Sequence, residues 1–387
     1  MRIMYITFDD IHSNFAWSVH IREVAERLHK RGHSVLLVGP NIRDDSIKVF
    51  TKSIPVSSNK LVKVLQYFIT SGYHFLSAII NFKPHIIYCR GVHFTLTPIL
   101  SAIILGKPFI VEINGLLEDT LKNRLVRYIF ISVQKVYLVL ASRIITVSDL
   151  LKEGLCKRYN INSNKVYVIP NGADCEKFMP MNKMAARRKL NLPNVMTILF
   201  VGSFYRHHGL ALLSDSAYAV RNSIPDVRFI LVGDGLMRNE IESMVADKGL
   251  GDIFTFTGER PHSEIPLWIS AADVCVCILI SDYSGYYGFS IVKLYEYMAS
   301  GRPVIAASNM KEIAEFIETH NIGLVESLNK DKERNIRGFS DKLIKLLQDE
   351  ELRERLGQNG RRLALDKFNW DRAAADVEKV LADIMKC

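Results

Sequence analysis

The loop after the first predicted strand contains no glycine, and the absence of glycine there argues against one class of enzyme. Domains that bind a dinucleotide place a Gly-x-Gly-x-x-Gly turn straight after their first strand, because glycine lets the backbone approach a pyrophosphate. Here the strand candidate Arg2–Thr7 runs into Phe8–Phe15 without a glycine. The sequence therefore argues against a nicotinamide-dependent enzyme built on the N-terminal half.

Paired cysteines and long apolar runs are also missing. The six cysteines form no Cys-x-x-Cys pair and show no zinc spacing to histidine, which predicts free thiols and no metal site. No signal peptide follows Met1, so we expect a reducing, cytoplasmic location. The longest uncharged stretch, Val64–Phe82, spans only 19 residues and is interrupted by polar side chains. It predicts a buried or interfacial helix rather than a membrane span.

Acidic residues are absent from one long segment, and the charge of the chain is unevenly divided. No Asp or Glu occurs between Ser46 and Val111. Residues 1–190 carry 27 Lys and Arg against 13 Asp and Glu, whereas residues 191–387 carry 23 against 28. The whole basic excess of the chain, +9, thus belongs to the N-terminal half. Such an excess indicates an anionic partner.

Short apolar runs alternate with helical patterns along the chain. The strand candidates of the first half are Arg2–Thr7, Ser34–Val38, His85–Tyr88, Pro108–Glu112, Arg143–Val147 and Val166–Ile169. A linker near 175–195 interrupts the pattern. The second set is Met196–Val201, Val227–Val232, Ile253–Phe256, Val274–Leu279 and Pro303–Ala306. This order predicts an α/β chain with two doubly wound parallel sheets, whose ligands lie where the strands end.

Glycines mark three strand ends in the second half of the chain. Gly202, Gly233 and Gly258 stand directly after a predicted strand or close behind one, so they line one rim of the predicted sheet. The loop after Gly202 also carries Arg206, His207 and His208. A helix start near such a loop offers free N–H groups to an anion. The pattern indicates a phosphate or nucleotide site.

The segment Gly285–Ile305 is a loop that runs into a helix. Ser290 is predicted to cap the helix, and Lys293 and Glu296 occupy neighbouring positions on it. The helix start and Lys293 would attract a diphosphate, and Glu296 could bind a sugar diol. A surface ion pair between Lys293 and Glu296 is the alternative interpretation. However, the helix is otherwise apolar, and a buried carboxylate needs a partner.

These motifs together resemble those of the retaining glycosyltransferase family 4, whose fold is called GT-B. Gly288–Ile305 resembles the family's signature, and Val168–Asp174 is similar to its inter-domain segment. Leu231–Gly235 and Arg31–Val35 also match, and Phe368–Asp371 resembles the start of the closing helix. The resemblance implies an acceptor-binding domain over 1–180, a sugar-nucleotide domain over 181–368, and a helix 369–386 that packs back on the first domain. The two Rossmann-like domains are expected to face a central cleft.

The resemblance also implies roles for individual residues. Donor binding is assigned to Gly202, Ser203, Gly233, Gly258, Arg260, Gly288, Phe289, Ser290, Ile291 and Glu296. Catalysis is assigned to Asn114, Arg206, His208 and Lys293, the last three as groups that neutralise the diphosphate. The acceptor side is assigned to Asp9, His12, Asn14 and His20. The sequence departs from the family pattern at Gly288, where the first glutamate of an E-x7-E signature should stand, and at Ser203 and His208, where a basic pair is usual.

The implied function is retaining transfer of a sugar from a UDP- or GDP-linked donor to a glycan or lipid-linked acceptor, in cell-surface polysaccharide or glycolipid biosynthesis. No cofactor or metal is expected. A sugar-nucleotide epimerase is one alternative. A non-catalytic sugar-nucleotide-binding subunit of a transferase complex is another, and Gly288 suggests it.

The basic half predicts a location at an anionic membrane surface. Basic residues flank or decorate apolar helical segments there, namely Lys60, Lys63, Lys83, Lys107, Lys122, Arg124, Arg127, Lys135 and Arg143. Such helices suit a peripheral position on the inner face of the cell membrane. No nucleic-acid-binding motif accompanies the charge, so we expect no nucleic-acid partner.

Overall fold

The computed structural model describes residues 1–13, 15–43, 47–57, 60–92, 96–116, 118, 121–281 and 290–385, without the side chains of 60–65 and 67–69. The chain divides into two compact units. One contains Met1–Asn171, Tyr286–Ser290 and Trp370–Cys387, and the other contains Gly172–Gly285 and Ile291–Asn369. The first unit thus ends its main segment at Asn171, before the predicted boundary at 180.

The first unit is built on a parallel sheet of seven strands. These are β1 (Arg2–Thr7), β2 (Ser34–Pro40), β3 (Phe50–Ile54), β4 (Ile86–Arg90), β5 (Phe109–Ile113), β6 (Arg143–Thr146) and β7 (Val166–Val168). The helices between them are α1 (Ala16–Lys30), α2 (Lys60–Phe82), α3 (Thr97–Ile104), α4 (Arg124–Leu140) and α5 (Asp149–Tyr159). In the strand order β3-β2-β1-β4-β5-β6-β7, β2 and β3 are added on one side of β1, and the later strands are added on its other side. Right-handed crossovers therefore place α1 on one face and α2 to α5 on the other.

The second unit repeats this plan with six parallel strands. They are β8 (Met196–Val201), β9 (Val227–Val232), β10 (Phe254–Gly258), β11 (Val274–Leu279), β12 (Val304–Ser308) and β13 (Gly323–Ser327), in the order β10-β9-β8-β11-β12-β13. Its helices are α6 (Lys183–Lys189), α7 (Leu210–Ser223), α8 (Arg238–Asp247), α9 (Ile265–Ala271), α10 (Val292–Ala299), α11 (Lys311–His320), α12 (Lys332–Gln348) and α13 (Glu350–Asp366). The chain then returns to the first unit in α14 (Trp370–Met385).

The central strands follow the predicted apolar runs because both faces of each sheet are covered. In β1, the side chains from Ile3 to Ile6 are fully buried. The edge strands β3 and β13 were not predicted from the sequence. The sequence of β3 is Phe-Thr-Lys-Ser-Ile and that of β13 is Gly-Leu-Val-Glu-Ser, so polar residues interrupt the apolar run in both strands. Each of these edge strands pairs with only one neighbouring strand.

The predicted linker contains a helix, and α14 packs on α1. α6 lies within 175–195, and Arg187 from this helix reaches the buried Asp273 at 2.6 Å. In the first unit, Glu378 of α14 binds Arg31 and His33 at the end of α1, at 2.6 and 2.8 Å. Within the described residues, no helix combines the length and the hydrophobicity needed to cross a bilayer.

Helix α10 is held against α13 by two glycines. An added Cβ at Gly357 in α13 would lie 2.2 Å from the carbonyl oxygen of Gly301, which follows α10. An added Cβ at Gly360 would lie 3.3 Å from the Cα of Met298. The two backbones therefore approach each other more closely than any side chain at Gly357 would permit.

We expect Gly357→Ala to lower the free energy of unfolding by about 2 kcal/mol, because the new methyl group must displace backbone. The matched control is Gly72→Ala in α2, where the new Cβ would lie 3.6 Å from Cγ2 of Thr97, an ordinary contact. This control should be neutral or stabilising by up to about 1 kcal/mol, since alanine favours helix. Urea unfolding measures both, and equal midpoints for the two variants would refute the close packing.

Candidate active site

The loops after β8, β9 and β10 are joined through their glycines. Gly202, Gly233 and Gly258 all have positive φ, at 138°, 136° and 71°. The amide of Gly202 donates to the carbonyl of Val232, and that of Gly233 donates to Gly258, both at 2.9 Å. An added Cβ at Gly233 would lie 2.0 Å from the carbonyl oxygen of Gly202. Glycine at Gly233 is thus required by the adjoining loop, whatever ligand binds there.

Lys293 projects from the first turn of α10 against Gly202. A Cβ at Gly202 would lie 2.7 Å from Nζ of Lys293, and Nζ lies 4.3 Å from the centre of the Phe200 ring. The ammonium is buried, and it has no hydrogen-bond partner among the residues that the structure describes. The Phe200 ring offers this cation an aromatic face.

Burial governs the protonation of Lys293. It lowers the pKa of Lys293 to about 8, although Cys277 and Glu296 favour the charged form. The side chain is therefore mostly charged at neutral pH and loses its proton just above it. An uncompensated buried charge is costly, and such groups are typical of functional sites.

His208 cannot serve as a cation here, contrary to the sequence-based interpretation. Its Nδ1 lies 2.5 Å from the carbonyl oxygen of Ser203, which only accepts, so Nδ1 carries the proton. Burial, together with the nearby Lys293, lowers the pKa of His208 to about 2. The ring is neutral at physiological pH, and its Nε2 is a hydrogen-bond acceptor. His208 can bind a hydroxyl group but cannot neutralise a diphosphate.

The remaining candidates of the second unit are more exposed. Arg206 lies in a short 3-10 turn and its side chain is exposed. Ser203 is half-buried in the same loop. Arg260 follows β10, and its guanidinium carbon lies 5.7 Å from the centre of the Trp268 ring. Arg206 and Arg260 are thus available to bind an anion at the surface, whereas Lys293 is a fixed internal charge.

Glu296 is buried on α10 and has a partner that sequence reasoning missed. Its Oε1 lies 2.7 Å from Nε2 of His262, which follows β10 and packs against Phe178. The side chain of Glu296 therefore does not pair with Lys293. The burial of Glu296 could be foreseen from its apolar helix, but the identity of its partner depends on the fold.

The sequence analysis predicted that Ser290 caps α10, but in the structure it does not. Ile291 is the N-cap residue, and no side chain of the described residues caps the helix, which leaves amides of its first turn available. The hydroxyl of Ser290 accepts instead from the amide of Asn171 at 2.8 Å. Two other donor candidates, Gly288 and Phe289, lie outside the described residues.

The acceptor-side candidates of the first unit follow the ends of its strands or lie on α1. Asp9 pairs with Arg90, the last residue of β4. The Nε2 of His12 accepts from the amide of Arg43 at 3.1 Å. Asn114 directly follows β5, and its Oδ1 is buried without a hydrogen-bond partner among the described residues. Asn14 is a candidate that lies outside them.

His20 is buried on α1 beside Glu112, the fourth residue of β5. Its Nε2 lies 2.7 Å from Oε1 of Glu112, and its Nδ1 lies 2.6 Å from Oδ1 of Asn171. Burial would raise the pKa of Glu112, but the contacts with His20, Arg90 and the Tyr88 hydroxyl lower it to about 2. This carboxylate was not among the sequence-based candidates, although its place in an apolar strand signalled a buried partner.

No metal centre is evident in the described part of the chain. The cysteines there, Cys89, Cys156, Cys175, Cys275 and Cys277, are free thiols. No group of three or more His, Cys, Asp or Glu residues in the described ranges could hold a metal ion.

Two family models match consecutive parts of the chain. The model of the Glycosyltransferase Family 4 matches residues 18–177, and that of Glycosyl transferases group 1 matches residues 182–363. Together they span both units almost completely. The resemblance to glycosyltransferase family 4 that the sequence motifs indicated is thereby confirmed.

Relatives and a solved structure agree with these models. Over 296 residues the chain is 25% identical to an alpha-D-kanosaminyltransferase of Streptomyces kanamyceticus, covering 74% of this chain and 73% of that protein. It is 25% identical over 349 residues to a UDP-Gal:alpha-D-GlcNAc-diphosphoundecaprenol alpha-1,3-galactosyltransferase of Escherichia coli, covering 88% and 85%. A sucrose-phosphate synthase of Thermosynechococcus elongatus superposes with a TM-score of 0.77 at 22% identity, covering 100% and 99%. The predicted fold, two Rossmann-like parallel-sheet domains of the GT-B type, is confirmed.

Lys293→Met should stabilise the protein at neutral pH, because it removes a buried charge and keeps the side-chain length. A pKa of about 8 instead of 10.5 corresponds to a gain on the order of 3 kcal/mol at pH 7. The sign follows from proton binding. Between pH 8 and 10.5 the unfolded chain holds a proton that the folded chain lacks, so wild-type stability rises across this window. The advantage of methionine should therefore shrink when urea unfolding is measured at pH 9.5.

The matched control is Lys311→Met on α11, where the side chain is 82% exposed. It should change stability little at either pH. Equal unfolding free energies for wild type and Lys293→Met at pH 7 would contradict the buried charge.

Proposed function

Since the chain belongs to the glycosyltransferases that the family 4 and group 1 models describe, we propose that it is a retaining enzyme with a nucleoside-diphosphate-sugar donor. The acceptor in this proposal is a glycan or a lipid-linked sugar, and the product enters cell-surface polysaccharide or glycolipid biosynthesis. The donor in this proposal is linked to UDP or to GDP. The relative from Escherichia coli supports the proposal, because its name gives a UDP-galactose donor and a diphosphoundecaprenol-linked acceptor.

The observation that carries the proposal is the ammonium of Lys293 at the start of α10, which has no hydrogen-bond partner in the described part of the chain. It is buried, charged at neutral pH, and adjacent to the backbone of Gly202. The first turn of α10 adds amide donors and the positive end of the helix dipole. A diphosphate is the part of a nucleotide sugar that such a site would bind.

The chemistry of transfer explains why a fixed cation is useful. Cleavage of the anomeric C–O bond moves an electron pair onto the leaving diphosphate. Lys293 and the helix amides stand ready before the reaction, so they stabilise the developing charge without reorganisation. Arg206, exposed near the same loop, is proposed to close on the outer phosphate. His208, being neutral, is proposed to accept from a sugar hydroxyl. No metal is part of this proposal.

Glu296 is proposed to bind the ribose hydroxyls of the donor. His262 holds the carboxylate at 2.7 Å and so fixes its orientation, as a supporting residue does in a preorganised site. The missing first glutamate at Gly288 implies that the transferred sugar is recognised by other groups. Asn114 stays a proposed catalytic residue on the strength of the family resemblance, and its buried Oδ1 has no hydrogen-bond partner among the described residues.

The first unit also carries an apolar, basic surface that fits an anionic membrane. Residues 122–129, at the start of α4, are all exposed, including Leu125 at 68% and Tyr128 at 70%. α3, on the same face of the sheet, exposes Ile104 at 76%. Arg124 lies within the exposed stretch of α4. Large apolar side chains beside cations favour insertion at a lipid headgroup surface, so we propose a peripheral position on the inner face of the cell membrane.

The donor site can be tested by nucleotide binding. UDP or GDP should raise the melting temperature of the wild type by mass action. Lys293→Met should weaken binding at least tenfold, since it removes a charge-assisted contact, whereas Lys311→Met should not. Because only the protonated amine binds the diphosphate, affinity should fall as pH rises through about 8.

The absence of any shift with either nucleotide would overturn the proposed function. Product analysis with a donor alone separates the alternatives, because an epimerase forms a new sugar nucleotide and a transferase gives at most slow hydrolysis. A non-catalytic subunit would bind the nucleotide but transfer no sugar to any acceptor.

The membrane surface can be tested with vesicles that contain phosphatidylglycerol. The protein should pellet with them at low salt and less at high salt, because exposed charges are screened. Leu125→Glu on α4 should reduce pelleting several-fold. Leu236→Glu, at an 87% exposed position of the second unit, is the matched control and should not. Failure of the wild type to pellet at low salt would remove this part of the proposal.

A further inference from the structure

Three segments of the first unit are connected through His20 and Asn171. Asn171 is the last residue before the chain passes into the second unit, Ser290 is the last before it does so again, and Trp370 is the first after it returns. His20 binds Asn171 at 2.6 Å and makes an edge-on contact with the Trp370 ring at 5.3 Å. The Nδ2 of Asn171 then donates to the carbonyl of Ser290 at 2.8 Å.

Asn171 donates both of the hydrogen bonds that join it to Ser290. The Asn171 side chain donates to the Ser290 carbonyl, and the Ser290 hydroxyl accepts from the Asn171 amide, each at 2.8 Å. Because Nδ2 of Asn171 is used as a donor, its Oδ1 faces His20 as an acceptor, and Nδ1 of His20 must donate. The orientation of all three side chains is thereby determined.

His20 is itself held from its other side. Its Nε2 faces the carboxylate of Glu112 at 2.7 Å, and Glu112 accepts from the hydroxyl of Tyr88. His20 and Glu112 are buried, with 6% and 1% of their surface exposed. Buried polar pairs of this kind seldom add net stability compared with apolar residues, but they determine geometry.

Ser290, the last residue in this series of hydrogen bonds, is adjacent in sequence to α10, the helix of the proposed donor site. Ser290 is bonded directly to Ile291, the N-cap residue of α10, and Lys293 lies in the first turn of that helix. A displacement of Ser290 would be transmitted through one peptide bond to the start of α10. Catalytic and binding groups lose effect when they are misplaced by about 1 Å.

We propose that His20 is a positioning residue for the donor site: through Asn171 it fixes Ser290, and with it the first turn of α10. The inference rests on the proposed function, because it assigns α10 to donor binding. His20 is thereby moved from the acceptor side, where the sequence placed it, to the support of the donor helix.

Two substitutions of His20 separate its two hydrogen bonds. In His20→Asn the amide occupies the place of Nδ1 and keeps a donor towards Asn171. In His20→Gln the amide occupies the place of Nε2 and keeps a donor towards Glu112. Both variants remove the ring, so we expect similar losses of stability. Only His20→Gln breaks the connection to Ser290.

The measurement is the Kd of UDP and of GDP for each variant, with urea unfolding beside it. We expect His20→Gln to weaken binding five- to tenfold and His20→Asn less than twofold, at similar stability. Asn171→Ala should weaken binding at least as much, and the His20→Gln, Asn171→Ala double variant should be no worse than Asn171→Ala alone, because both remove the connection through the Asn171 side chain.

Equal affinities of the two His20 variants, or effects of His20→Gln and Asn171→Ala that add, would overturn the inference and leave the proposed function intact. If the wild type binds neither UDP nor GDP, the proposed function fails and the inference fails with it.

Discussion

The buried ammonium of Lys293, without a hydrogen-bond partner among the residues described, is the constraint on which the proposed donor site of the second unit depends. It explains why Gly202 has no side chain, because a Cβ there would lie 2.7 Å from Nζ. It places an aromatic ring, Phe200, where a cation needs a compensating surface. It also contributes to the neutral state of His208. The position of α10 against α13, secured by Gly357, keeps this charge in place.

The two units handle buried charge in opposite ways. In the first unit Glu112 is surrounded by His20, Arg90 and Tyr88, which more than offset its desolvation and lower its pKa to about 2. In the second unit Lys293 has no such set of partners among the described residues, and desolvation lowers its pKa to about 8. A buried charge with several partners, such as Glu112, stabilises one local geometry. A buried charge without them, such as Lys293, gains stabilisation when a ligand of opposite charge binds.

The sequence predicted the parts of the fold that rest on strong local patterns. Runs such as Met196–Val201 are buried on both faces, so their boundaries were predicted correctly. The edge strand β13 escaped prediction because its polar residues carry no such signal. The interpretation of Ser290 as a helix cap failed for a different reason. Local spacing favours a cap, but its hydroxyl is engaged by Asn171, 119 residues away in sequence, which no local rule can anticipate.

The uneven charge of the chain has a physical meaning once burial is known. The basic excess of residues 1–190 includes exposed cations such as Arg124, whose attraction for an anionic surface is screened by salt. The proposed donor site lies in the acidic half and relies on one buried cation, which salt screens far less. Binding at a membrane and binding of a nucleotide sugar would therefore respond to different conditions, the first to ionic strength and the second to the protonation of Lys293. In this proposal the two binding steps are controlled separately, because the cations that face the membrane are exposed whereas Lys293, the cation of the donor site, is buried.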